Sequence, residues 1–352
     1  MIPAARFHSR TVDVEPTPEA AFAEAYRLGW TDGLPIVPPT EDRVGAMVEA
    51  TGRPADELVA RVPPAYGAAT IEKIAINAVM AGCLPEYMPV LVAAVEGMCE
   101  PRFNLDGIQS TTNPAGVALI INGPVRKQLD INCERNCLGQ GWRANATIGR
   151  AVRLVMLNAG GGNPGTGDKA IHGFPGKFSF CFGELEEANP WEPLHVERGF
   201  KREDSTVTVV GAQGTSNCNL ANFFKIHAML DIMANAMSYL GSNNVMLGDG
   251  EPLMILTPAH AELAHQAGMS KGDVKKYLWE KSGAPLSAIP TDGTAERLYP
   301  RLAVHNGAIK PCKRPEDVML VVAGGPEMYH AVFVPTFGDT WAVTKPVRLA
   351  RR

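Results

Sequence analysis

Long apolar runs are missing from this chain. Nothing in its 352 residues approaches the roughly 20 apolar positions needed to cross a bilayer. The opening stretch MIPAARFHSRTVDVEP also lacks the apolar core, roughly 7–15 residues long, of a secretory signal. A cytoplasmic protein with no membrane partner is therefore expected. An excess of basic charge is missing too: 33 Lys and Arg face 37 Asp and Glu, a formal net charge of −4, so nucleic acid is not expected as a partner. Seven cysteines, an odd number spread from Cys83 to Cys312, do not form a disulfide framework. There is no CxxC, zinc-finger spacing or HExxH; the nearest approach is Cys133 and Cys137, spaced CxxxC. No Walker loop is present either, and the glycines of NAGGGNPGTGD follow a helix rather than a strand, which is not the context of a dinucleotide fingerprint.

What is present is the composition of a globular protein, 45% hydrophobic and 20% charged, with 28 prolines and 35 glycines dispersed along the chain rather than gathered into a linker. Apolar residues recur at helical spacing in PEAAFAEAYRLGW, TIEKIAINAVMAGC, EYMPVLVAAVEGMCE and ANATIGRAVRLVMLNAGGG. Thr40 is placed to cap a helix opening with Glu41 and Asp42. GVALIINGP, STVTVVG, PLMILTP and DVMLVVAGGP read as buried strands, and HAVFVPTFG as an extended piece. Strands separated by helices predict an α/β fold, with a mixed sheet carrying helices on both faces. Three strands ending in a proline turn, ALIINGP, LMILTP and LVVAGGP, allow two lobes related by a weak internal repeat. The expected division is residues 1–200, including a long polar loop at 160–200, and residues 201–352, unless the two form one intertwined domain.

Six strings, TDGLPIVPPTEDRV, INAVMAGCLPEYMPV, INGPVRKQL, ANATIGRAVRLVMLN, NPWEPLHVERGF and AHAELAHQAGMSKGDVKKYLWE, resemble a bacterial family of UGSC-like proteins. The resemblance spans roughly residues 31–290. That family is named for relatives with selenocysteine or cysteine in a Gly-Ser-Cys motif, so the resemblance implies an enzyme with a thiol but no defined reaction. The nearest string here is GTSNC, ending at Cys218, with Asn217 breaking the motif.

Read from its own residues, Cys218 follows a strand and precedes a long apolar helix. A helix mouth there would stabilise a thiolate through the dipole and free N–H groups. Packing of a small residue is the alternative. Cys83, with Glu86 close behind, is a second thiol, read chiefly as structural. In the 160–200 loop, His195 could act as acid or base oriented by Glu197 or another carboxylate such as Glu187. Glu184, Glu187 and His195 could instead hold a divalent metal, the one cofactor considered. Arg143, Asn145 and Arg150 at the start of a helix suggest an anion site, and Asn122 and Thr112 stand at element ends where substrate would lie.

The expected function is hydrolytic or lyase-type cleavage of a small polar or anionic molecule by a thiolate with a histidine–carboxylate pair. A metal-dependent hydrolase or lyase, a thiol redox enzyme and a non-catalytic binding protein are the alternatives. The nearly uncharged helix over residues 86–99 predicts a homo-oligomer, most simply a two-fold dimer.

Overall fold

The computed structural model describes residues 7–290 and 301–349. Eight strands build its centre: β1 (Gly116–Asn122), β2 (Cys181–Gly183), β3 (Thr206–Ala212), β4 (Ser216–Asn219), β5 (Leu253–Leu256), β6 (Met319–Val322), β7 (His330–Val334) and β8 (Val343–Pro346). The helices that matter most are α1 (Ile71–Ala81), α2 (Met88–Met98), α3 (Arg143–Asn158), α4 (Leu194–Glu197), α5 (Ile226–Ala236), α6 (Pro258–Gln266) and α7 (Lys271–Lys281). The strands form two four-stranded sheets, in the order β8-β3-β1-β2 and β6-β5-β7-β4. Helices and mixed sheets together make this an α/β protein, as the pattern predicts.

Strand alternation sorts the side chains into layers. From β1, Leu119 and Ile121 face one core with α1, α2 and α3, while Ala118 and Ile120 face the other way. There they meet Phe182 of β2, Val210 of β3 and, from the second sheet, Leu253, Ile255, Met319, Val321 and Val334. The opposite face of that second sheet, with Met254, Leu256, Leu320 and Phe333, packs on α5, α6 and α7. The result is helices, sheet, sheet, helices. Where a mixed sheet with helices on both faces was expected, two sheets stack, and the long helices cover their outer faces while only the short α4 reaches the layer between them. Near-continuous apolar strands such as ALII cannot by themselves say whether a helix or a second sheet covers them.

Both sheets follow one plan. β1 runs parallel to β2 and antiparallel to β3; β5 runs parallel to β6 and antiparallel to β7. After β3 the chain leaves its own sheet to become the edge strand β4 of the other, pairing with β7. After β7 it returns as β8, the edge strand beside β3. The two crossings touch, with an Ala212–Thr336 bridge and a Gln213 N–H donating to the Pro335 carbonyl at 2.7 Å. A division at residue 200 therefore cuts through the β8-β3-β1-β2 sheet, whose strands come from both sides of it.

Helix α2 is buried at ten of its eleven positions, and its neighbours are β3, β8, α1 and α3 of the same chain. The apolar face that prompted the dimer expectation is covered from within. Among the described residues no helix is long and apolar enough to cross a membrane. Ile120, fully buried between the sheets, tests this layering. Ile120→Ala is expected to lower unfolding free energy by about 2–5 kcal/mol in a urea titration; a change below about 0.5 kcal/mol would contradict a close-packed inter-sheet layer.

Candidate functional site

β1 and β2 are parallel and end side by side, and the chain turns charged beyond each of them. After β1, Asn122 leads into Gly123, Pro124 and the short helix Val125–Gln128, which carries Arg126. After β2 comes Glu184-Leu185-Glu186-Glu187. Gly123 is a required glycine: its φ is +80°, and a Cβ would lie 2.1 Å from the Asp204 carbonyl oxygen. The turn throws Arg126 back over the strand ends.

Arg126 is 3% exposed, and every arm of its guanidinium is used. Nε donates to the Gly123 carbonyl at 3.2 Å and lies 3.1 Å from Glu186 Oε1; Nη1 donates to the Glu184 carbonyl at 2.7 Å; Nη2 meets Glu187 Oε1 at 3.1 Å. Burial works against its charge, but Glu187 and Glu186 outweigh it. Asn122, fully buried, donates one Nδ2 hydrogen to Glu184 at 2.7 Å and the other to Glu186 at 3.0 Å. Glu186 also accepts from the Gly123 N–H at 2.7 Å.

The three carboxylates differ. Glu184 is fully buried, and burial pushes its carboxyl up against the pull of Lys271, the Leu194 N–H and Asn122. Its oxygens accept from Asn122, Asn189 and the Leu194 N–H, which leaves no room for a ligand. Glu187 is exposed, and although burial of part of it works upward, Arg126 and Lys127 hold it at about 2. His195, on α4, is fully buried, its Nδ1 3.9 Å from Glu186 Oε1 and its Nε2 3.4 Å from the Arg202 carbonyl. The expected acid–base pairing thus assembles around Glu186, which no sequence pattern singled out, rather than Glu187, and inside the protein. Glu184 and Glu187, named with His195 as possible metal ligands, accept hydrogen bonds instead. Their oxygens are taken by different donors, and among the described residues no three His, Cys, Asp or Glu gather as metal ligands would.

The thiols need the largest correction. Cys218 is not at a helix mouth: it lies in β4, pairs with Ala331, and α5 begins only at Ile226. Ser, Asn and Cys are poor helix formers, and the alternation of Ser216–Asn219 suits an edge strand with Cys218 turned inward. Burial pushes its thiol up to about 11, opposite to the expected activation. Cys83 bonds the Thr147 carbonyl at 3.3 Å, and burial takes it to about 12, while its companion Glu86 points to solvent. Cys99 and Cys137 are also raised to about 12 by burial. Cys133 is different. It is half-buried in the loop before α3, and the Arg126 Nη1 stands 3.8 Å from its Sγ. Burial leaves this thiol raised as well, with the guanidinium pulling against the rise and Glu187 and Glu134 adding to it.

The residues of the expected anion site have partners within the chain, although Arg143 stays exposed and, among the described residues, bonds only through Nε. Arg150 clasps Asp32 with two bonds of 2.8 Å, Arg143 donates to the Gly82 carbonyl, and Asn145 ties Asn132 and Cys137 into the Cys133 loop. Thr112 is exposed, and its carbonyl accepts from the Ile171 N–H. The 160–200 segment is no structureless loop, since it supplies β2 and α4. Arg126 and Cys133 lacked a motif, but a cation four residues beyond a buried strand, at the carboxyl end where such folds bind ligands, was the available signal.

The second sheet completes the surroundings. The Leu185 N–H donates to the Val322 carbonyl at 2.7 Å, so the ends of β2 and β6 meet, and the Gly324 N–H donates to the Cys133 carbonyl at 2.9 Å. Arg135 of the thiol loop pairs with Glu327 across the same seam. A cleft of about 830 Å³ lined by Phe7, Trp30 and Met80, and one of about 560 Å³ lined by Trp279 and His305, lie elsewhere and include none of these residues. No protein-family model matches the chain, and no curated protein matches it.

Glu187 gives this cluster a pH signature. Its carboxyl titrates at about 2 when folded, and near 4.3 when unfolded. The folded value is the lower one, so its contribution is complete above about pH 5 and lost as pH falls toward 2. Glu187→Gln is expected to flatten the acid limb of the melting temperature between about pH 4.5 and 2; superimposable limbs would contradict the pairing. The buried partner behaves differently: Glu186→Ala, which strands Arg126, is expected to cost about 3–5 kcal/mol in urea, whereas exposed Glu86→Ala should stay within about 0.5 kcal/mol.

Proposed function

We propose that this chain is an enzyme that cleaves a small polar molecule at the carboxyl ends of β1 and β2, by hydrolytic or lyase-type chemistry, with Cys133 as nucleophile. One observation carries the reading: Cys133 combines partial exposure with a guanidinium 3.8 Å from sulfur. A nearby cation favours thiolate, the reactive form of cysteine. The resemblance to UGSC-like proteins supports a thiol enzyme, with the thiol moved from Cys218 to Cys133.

In the hydrolytic form, Cys133 gives up its proton and its sulfur bonds to an electrophilic carbon of the substrate. The leaving group departs with that proton, and water then cleaves the sulfur–carbon bond and returns a proton to the thiol. Arg126 stabilises the sulfur anion. A Cβ added at Gly183 would lie 3.2 Å from the Cys133 Cβ, so the backbone at the end of β2 passes close to this residue without a side chain between. Glu187, held at about 2, is too weak a base for the first proton transfer and serves to balance the Arg126 charge.

Iodoacetamide labelling, read residue by residue by mass spectrometry across pH, tests this. Cys133 is expected to label first on the native protein, with Cys218, Cys83, Cys99 and Cys137 protected at pH 8. Arg126→Gln removes the pull on the thiol, so the labelling of Cys133 should move to higher pH. Faster labelling of Cys218, or an unchanged Cys133 profile in Arg126→Gln, would sink the proposal.

A further inference from the structure

Behind the carboxylates, three buried polar atoms have no hydrogen-bond partner among the described residues: Asn122 Oδ1, Thr206 Oγ1 and His195 Nδ1. All three residues are 0% exposed. Asn122 and Thr206 are register partners on the antiparallel strands β1 and β3. Each alternates with residues of the inter-sheet layer, Ala118 and Ile120 on one strand, Val210 and Ala212 on the other. Their side chains therefore leave the same face, with Cβ atoms about 5 Å apart. His195 comes to the same place from α4, because its Nδ1 lies 3.9 Å from the Glu186 oxygen that Asn122 Nδ2 reaches at 3.0 Å.

The protons on these groups are set by their other partners. Both hydrogens of the Asn122 amide go to carboxylates, Glu184 and Glu186, so Oδ1 is fixed as an acceptor. His195 Nε2 faces the Arg202 carbonyl, which can only accept. Nε2 then carries the proton, and Nδ1 presents a lone pair. The Thr206 hydroxyl can give or take. Two acceptors and a hydroxyl are complementary to a guest with two donors and one acceptor.

We propose that one ordered water molecule is built into the interior between β1, β3 and α4, donating to Asn122 Oδ1 and His195 Nδ1 and accepting from Thr206 Oγ1. Three hydrogen bonds are the usual number for a buried water, and buried polar atoms left unpaired bear the full penalty of desolvation. The water orients the His195 ring with Nε2–H toward the Arg202 carbonyl. His195 is thereby a positioning residue behind Glu186, which does not exchange protons with a substrate.

The site is independent of the Cys133 reading, and Cys133→Ser should retain it. A crystal structure of the full chain that resolves waters is expected to show one peak about 2.7–3.2 Å from all three atoms, and nitrogen-15 spectra should show His195 protonated at Nε2. Thr206→Ser keeps the hydroxyl and should keep the peak; Thr206→Val should lose or displace it and shift the Nδ1 resonance. An absent peak in the parent chain and in Thr206→Ser, or a proton on Nδ1, would overturn the proposal.

Discussion

A guanidinium with almost no contact with water holds the candidate site together. Arg126 cannot keep its charge at 3% exposure unless oxygen atoms surround it, and the chain brings those oxygens from separate places. The Gly123 carbonyl comes from the turn after β1, and the Glu184 carbonyl and the Glu186 and Glu187 carboxylates from the segment after β2. The Cys133 sulfur comes from the loop beyond. Once Arg126 is satisfied, the ends of two strands and the approach to α3 are fixed relative to one another. The other features of the site, including the bridging amide of Asn122 and the glycine at 123, serve that closure.

The two sheets share a backbone plan but not its chemistry. The Glu184 N–H donates to the Ile121 carbonyl at 3.1 Å just as the Ala323 N–H donates to the Leu256 carbonyl at 2.9 Å, so Glu184 and Ala323 hold equivalent places. One strand end continues as Glu-Leu-Glu-Glu, the other as Ala-Gly-Gly-Pro-Glu. Charge is concentrated on one side and bare backbone on the other, and the two meet where the Leu185 N–H bonds the Val322 carbonyl. That asymmetry gives the seam an electrostatic face opposite a glycine-lined one.

Elements with an unambiguous period were legible from the residues alone. α1, α2, α3 and the buried strands β1, β3, β5 and β6 lie where apolar spacing puts them. Three-residue β2 was hidden in an apparent loop because so short a strand has no period to detect. Cys218 was misplaced because a strand followed by glycine and then by an apolar helix has the same spacing whether or not a second strand intervenes. Cations were harder still. Arg143, Arg150 and Arg126 look equivalent in sequence, and only the fold shows that the first two are committed to Gly82 and Asp32 while the third stands beside a thiol. Asn122 was legible as a strand-end residue, because the carboxyl end of a buried strand is a place and not a pattern.

The exchange of edge strands sets the order in which the sheets can be completed as the chain is laid down. β1, β2 and β3 come first, but the next strand, β4, goes to the other sheet. The first sheet receives its fourth strand only when the chain returns as β8, after every strand of the second sheet has been supplied. A chain cut after β7 would therefore hold one complete sheet and leave β3 with a bare edge, the kind of unpaired backbone that recruits strands from other chains.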